Sequence, residues 1–322
     1  SPRTSAPTRT RAGAERASRA SSRQNGERVR VHREARAVDD GYRSDLVPGL
    51  RASADASRLA REIAFSSARL LALAVEPPGL FGEVRALARA PSPEGENLER
   101  ATWECFLIVY LCPLEGEDPF AGIRMALASA GAGELPDLDG VPLGPRSSHD
   151  PERGVETLVA YRQWVARAGD ASGCADSLQA AAFSGDPTWS PQRRFERVFE
   201  RLALPGFARM GRYELLVTLG RLGLYALQPD SLHLAGARGL SAEDLTTTAA
   251  KRVFGIGDPL LLERRAAALA QAIAVPIETL DLALANWISP SGDDAPQRAT
   301  MGCPPDSHDA GALERAGSAL GI

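Results

Sequence analysis

The chain has 322 residues, 44% of them hydrophobic and 6% aromatic, with a formal net charge of −4. That is enough apolar material for one large domain or two small ones. No apolar run reaches the roughly 18 residues a membrane span needs, and an acidic total argues against wholesale coating of nucleic acid. Four scattered cysteines with no Cys-x-x-Cys pair exclude a disulfide framework or a zinc site, so no metal or cofactor is expected. A reducing cytoplasm fits this cysteine usage best. Of 37 basic residues only Lys251 is lysine, the one side chain here able to act as an amine nucleophile or neutral base.

Residues 1–50 are expected to form a disordered, Arg/Ser-rich tail. Eleven Arg against six acids fall in residues 1–45, with almost no large apolar side chain to offset the entropy of ordering. Ser57 to Glu76 is the first convincing helix, stopped by Pro77-Pro78. A Pro/Gly-bearing link at 91–97 leads to an apolar helix from Leu98 to Cys112, then a helix from Phe120 to Ala130. Residues 131–153 read as a long loop, and loops of that length are uncommon without a role. Helices follow over Val155 to Ala168 and Ala175 to Phe183.

After the turn SGDPTWSP comes the cleanest amphipathic helix. Phe195, Val198, Phe199 and Leu202 share its apolar face, and Arg194, Arg197 and Arg201 share another. The apolar face meets the core, so the Arg face meets solvent or phosphate. Three more helices are expected at about 241–254, 259–275 and 276–289, then a mostly irregular tail over 291–322 with a weak terminal helix. No strand is credible, so the fold class is all-α.

Two tracts repeat one layout. Leu204 to Asp230 runs from a turn bearing Pro205, Gly206 and Gly211 through an apolar helix to an acid. Lys251 to Asp281 runs from FGIGD through a helix to LDLALANW. A glycine turn between helices lets backbone N–H groups approach a phosphate closely; an ordinary helix C-cap would also use glycine. Candidate DNA contacts are therefore Arg194, Arg197, Arg201, Gly206, Arg209, Gly211 and Arg212, with Gly255 and Gly257 from the second turn.

Excising a base passes through a cation-like sugar, which a carboxylate stabilises. Asp230 lies 19 residues after Gly211, and Asp281 lies 24 after Gly257. The candidate catalytic residues are Asp230, Asp281 and Lys251. A flipped base needs aromatic walls, for which Trp103, Tyr110, Trp189 and Tyr213 are candidates, with core packing the alternative. Glu104 sits either at a helix surface or facing the pocket with a raised pKa. Asp258 is most simply a helix N-cap.

These motifs resemble the helix-hairpin-helix DNA glycosylase superfamily. More narrowly, the run from SGDPTW through RRFERVFERLALPGFARMGRYELLVTLGRLGLY to KRVFGIGD and LDLALANW is similar to the alpha-glutamyl/putrescinyl thymine pyrophosphorylase-like domains, linked to hypermodified bases in phage DNA. The resemblance covers about residues 55–290. It implies a two-lobed helical glycosylase-like domain, 51–290, with DNA and a flipped base between the lobes. It implies a monomer acting on double-stranded DNA that carries modified bases. The activity would be excision of an enlarged pyrimidine, such as a glucosylated hydroxymethylpyrimidine, leaving an abasic site in anti-phage defence. Alternatives are a base-hypermodification enzyme acting on activated thymine, or a non-catalytic helical DNA-binding module. The hairpin departs from Leu-Pro-Gly-x-Gly, because Phe207 to Met210 stand between Gly206 and Gly211. It carries no lysine in its second helix, so a monofunctional glycosylase is expected rather than a lyase. The iron–sulfur cluster of some relatives lacks its four clustered cysteines. Three helices follow Asp230, which favours the first tract as the site over the second.

Overall fold

The computed structural model describes residues 37–130, 134–172, 178–234, 244–289 and 298–322, which contain no strand. In chain order the helices are α1 (Ser53–Val75), α2 (Leu80–Arg89), α3 (Glu96–Leu111), α4 (Ala121–Ser129), α5 (Glu156–Ser172), α6 (Leu178–Ser184), α7 (Pro191–Arg201), α8 (Arg209–Arg221), α9 (Leu245–Phe254), α10 (Pro259–Ile273), α11 (Thr279–Ile288) and α12 (Ala310–Leu320). The all-α class stands.

Stop signals explain most helix ends. Gly255 and Gly321 close α9 and α12 in the left-handed conformation, and Ser190, Asp244, Asp258 and Asp309 cap α7, α9, α10 and α12 with side-chain oxygens. Around α3 are packed α2, α4 and α6, with α5 on α6. A second set joins α1 to α11 and α12, and α9 to α10 and α11. Helix α8 packs against α3 of the first set, α1 of the second, and α7, which itself rests on α6. Nearly every residue from Arg209 to Leu219 is buried, which is why α8 shows no amphipathic stripe. One large hydrophobic cluster runs through both sets, and a second, smaller one is built on Phe65, Cys112 and Leu282.

Three stretches depart from expectation. Helix α2 forms directly after Pro77-Pro78, because Leu80, Phe81 and Val84 reach the core; Phe81 meets the Phe120 ring edge-on at 5.6 Å. Of the expected 1–50 tail, residues 1–36 lie outside the described residues. Residues 37–50 are anchored by two buried side chains, Val47 and Leu50, and by Gly49 N–H donating to the Val253 carbonyl at 2.9 Å and Tyr42 OH to that of Leu320 at 2.6 Å. In the expected irregular tail, residues 290–297 are outside the description. Ala299, Met301 and Cys303 beyond them pack on Phe65, Cys112 and Leu282; spaced two apart in irregular chain, they give no helical period. The terminal helix expected there is α12.

Candidate active site

Both glycine tracts form helix–turn–helix units. In the first, α7 and α8 flank residues 202–208. Gly206 has φ +73°, and a Cβ placed on it would meet Thr157 Oγ1 at 2.4 Å. That hydroxyl donates to the Pro205 carbonyl at 2.9 Å. A Cβ on Gly211 would meet Ser148 Oγ at 2.5 Å and the Phe207 ring at 2.6 Å. Both glycines face protein.

In the second, Gly255 (φ +64°) ends α9, and Asp258 opens α10 by accepting from Leu261 N–H at 3.0 Å. Gly255, Gly257 and Asp258 are exposed, and a Cβ on Gly257 would meet nothing within 4 Å. Lys251, one turn earlier, is exposed as well.

The arginines divide in the same way. Arg194 is spent on the carbonyls of Ser184, Trp189 and Ala226 at 2.5, 3.3 and 3.0 Å. Arg197 is exposed and pairs with Glu200 at 3.1 Å. Arg201, also exposed, lies over the Trp189 ring at 5.5 Å, as Arg193 does at 5.8 Å. Arg212 is buried; it donates to the Phe199 carbonyl at 3.0 Å and stacks on that ring at 4.3 Å.

Arg209 is the hub of a buried ion-pair network. Its Nη2 donates to Asp281 Oδ1 at 2.7 Å, its Nε to Asp244 Oδ2 at 2.9 Å, and its Nη1 to the Leu232 carbonyl at 2.9 Å. The other oxygen of Asp281 accepts from Arg146 Nη2 at 3.1 Å. Asp281 lies in the first turn of α11 and is 2% exposed. Burial alone would raise its pKa, but Arg209 and Arg146 outweigh that and hold the carboxyl below its ordinary value. The same balance raises Arg209: burial works against its charge, and Asp281 and Asp244 more than restore it. One buried donor and one buried acceptor in this network have no protein partner, Arg146 Nη1 and Asp244 Oδ1.

Asp230 is exposed in the turn after α8. His233, three residues on, is turned inward at φ +54°. It lies 4.4 Å from the Phe199 ring and 5.5 Å from that of Phe195. Burial, aided by Arg209 and Arg212 and opposed by Asp230, lowers its pKa to about 4. Glu263 braces this segment by accepting from the N–H groups of Leu232 and Leu234 at 2.8 and 2.5 Å.

The proposed base-pocket aromatics do not converge. Trp103 and Tyr110 each stack on Phe106, which in turn stacks on Tyr161 at 3.8 Å. Tyr213 is buried and donates to the Ser231 carbonyl at 3.0 Å. Glu104 is buried and held by Arg100 at 2.7 Å. An open groove along α5, lined by Arg153, Val155, Glu156, Val159, Ala160 and Gln163, contains none of these candidates.

Arg146, Asp244 and Glu263 were not singled out by sequence. The only signal for Arg146 was its place in the long loop ahead of α5. Among the described residues no group of three His, Cys, Asp or Glu could hold a metal ion, and no helix is long and apolar enough to cross a membrane.

Residues 147–292 match the family model described as alpha-glutamyl/putrescinyl thymine pyrophosphorylase clade 3. The match covers just under half of this chain. It spans both glycine turns, Asp230 and Asp281, and begins one residue after Arg146. No curated protein and no solved structure matches the chain.

Proposed function

We propose that this protein grips double-stranded DNA with the Gly255–Asp258 turn and acts on a hypermodified pyrimidine at the Asp281 centre. The observation that carries the reading is the pairing of a glycine open to solvent, Gly257, with a buried, ionised carboxylate at the start of α11. Of the two layouts, only the second combines them. Backbone N–H groups at an exposed helix start suit a phosphate, and Lys251 lies one turn away.

The first reading is substitution at an activated thymine; it draws on the description of the matched family, which names alpha-glutamyl and putrescinyl thymine and a pyrophosphorylase. An amine attacks the exocyclic methylene carbon of a pyrophosphorylated hydroxymethyluracil. A C–N bond forms, the C–O bond to pyrophosphate breaks, and the amine's proton passes to a base. The departing pyrophosphate needs cations, and Arg146 and Arg209 stand on either side of Asp281. Arg146 Nη1 is the donor left for it. Asp281 and Arg146 are almost fully buried, so a base reaches them only when the chain over the centre moves.

Excision of the base by a glycosylase is the second reading. It draws on the 24-residue spacing from Gly257 to Asp281 and on a carboxylate already ionised for a cationic sugar. Both are tested with two duplexes. DNA carrying pyrophosphorylated hydroxymethyluracil is incubated with glutamate or putrescine, then digested for mass spectrometry. DNA carrying glucosylated hydroxymethylcytosine is incubated alone, then treated with alkali. Pyrophosphate release with an adducted thymine supports substitution. Alkali-labile breaks confined to modified DNA support excision. Neither product overturns both.

A further inference from the structure

The two ends of α9 stand at different places. Its C-terminal end is Gly255, the first residue of the exposed turn. Its N-terminal end enters the buried centre. Asp244, the N-cap, accepts from Thr247 N–H at 3.0 Å, as a cap does, and its same Oδ2 accepts from Arg209 Nε at 2.9 Å. Thr246, fully buried, donates its hydroxyl to the Asp281 carbonyl oxygen at 3.2 Å. The first turn of α9 therefore holds both members of the Arg209–Asp281 pair, one by its guanidinium and the other by its backbone.

A serine or threonine would cap α9 about as well. Asp244 instead buries a second oxygen, Oδ1, without a partner. Helix capping does not account for that cost; a full negative charge against Arg209 does. Ten residues of α-helix rise about 15 Å, so α9 is a short rigid rod with one end in solvent and one at the carboxylate.

We infer that α9 couples the turn to the centre. DNA seated on Gly255–Asp258 moves α9 as a body, and Asp244 and Thr246 transmit the movement to Arg209 and Asp281. Asp244 is a positioning residue that touches no substrate. The inference rests on the reading that the turn binds DNA.

The test is amide hydrogen exchange on the full chain, with and without an unmodified duplex oligonucleotide, alongside binding by fluorescence anisotropy. In the wild type the duplex slows exchange at the turn and also in α11 from Leu282 onward. Asp244→Asn keeps a capping oxygen but removes the charge. It binds the duplex as the wild type does and protects the turn equally, while the slowing in α11 falls by about tenfold. Thr246→Val shows the same split and serves if Asp244→Asn does not melt cooperatively. Protection of the turn with none in α11 of the wild type overturns the coupling and leaves the DNA reading standing. Unchanged transmission in both variants also overturns it. No binding by the wild type overturns the DNA reading and the coupling with it.

Discussion

At Gly206 and Gly211 an added Cβ would meet Thr157 Oγ1 at 2.4 Å and Ser148 Oγ at 2.5 Å, while at Gly257 it would meet nothing within 4 Å. The first pair of glycines exists to let α8 come close to the loop and helix ahead of it. The other is left open to solvent. The acids that follow are reversed. Asp230, after the packed turn, is exposed, and Asp281, after the open turn, is buried between two arginines. A turn that approaches DNA must be uncovered, and a carboxylate that works in a dry site must be buried. The second tract meets both conditions. The number of helices that follow favours the first tract, but helix count says nothing about which way a glycine faces.

The largest effect is expected at Asp281. Asp281→Asn leaves Arg209 and Arg146 buried with half their countercharge gone, which costs about 3 kcal/mol. A urea titration by circular dichroism reads this directly, and product formation on the modified duplexes falls with it. The pH dependence has a defined sign. The folded-state pKa of Asp281 lies below its ordinary 3.8. Its contribution is therefore complete above that value and is lost as pH falls through the folded pKa. Wild-type stability within about 0.5 kcal/mol of the variant's at pH 7 would remove Asp281 from the centre.

His233 sets the next effect, on the segment that follows the packed turn. The unfolded chain takes up its proton near pH 6.5 and the folded chain near 4. Between those values only the unfolded form is charged, so stability falls as the pH drops through this window, by about 3 kcal/mol in full. Asp230 and Glu200 act to raise this pKa, and Arg209 and Arg212 to lower it. His233→Phe keeps a ring beside Phe199 and removes the titration. Its melting temperature relative to wild type rises on going from pH 6.5 to 4. A flat difference across that range shows that His233 is not buried neutral.

Most helices could be read from apolar spacing and from proline and glycine stops, since those signals are local. The centre could not. Arg209 and Arg212 read as DNA contacts because an arginine's spacing does not reveal its partners, and theirs come from α9, α11 and the Phe199 carbonyl. Arg146 and Asp281 are 135 positions apart. The aromatics failed as a pocket for the same reason: Trp103 and Tyr110 lie on one helix at core spacing, and only the fold shows Phe106 and Tyr161 already stacked among them.

Alanine at the glycines sharpens the comparison directly. Gly211→Ala forces Ser148 and Phe207 apart in a closely packed region and costs about 1–3 kcal/mol in urea denaturation. Gly257→Ala faces open space at a φ that alanine accepts, so stability changes by no more than about 0.5 kcal/mol. It does add a methyl group where a phosphate would approach the backbone, so affinity for duplex DNA drops. Equal DNA affinity in wild type and Gly257→Ala, beside a loss in Gly211→Ala at matched stability, would return the DNA contact to the first turn.

The smallest effect is expected at Asp230. Its carboxylate is exposed, and it acts on His233 only through a modest field that burial and the neighbouring arginines override. Asp230→Asn keeps shape and turn propensity and removes that field alone, so stability moves by no more than about 0.5 kcal/mol. Activity on either modified duplex stays at the wild-type level. A surface aspartate needs a substrate to bury it before it can stabilise a cation, whereas Asp281 is already desolvated and ionised by Arg209 and Arg146. Measuring both variants side by side therefore separates the tracts. Loss of turnover in Asp230→Asn with an unchanged urea midpoint would place the reacting carboxylate after the packed turn, and leave the Asp281 network a purely structural one.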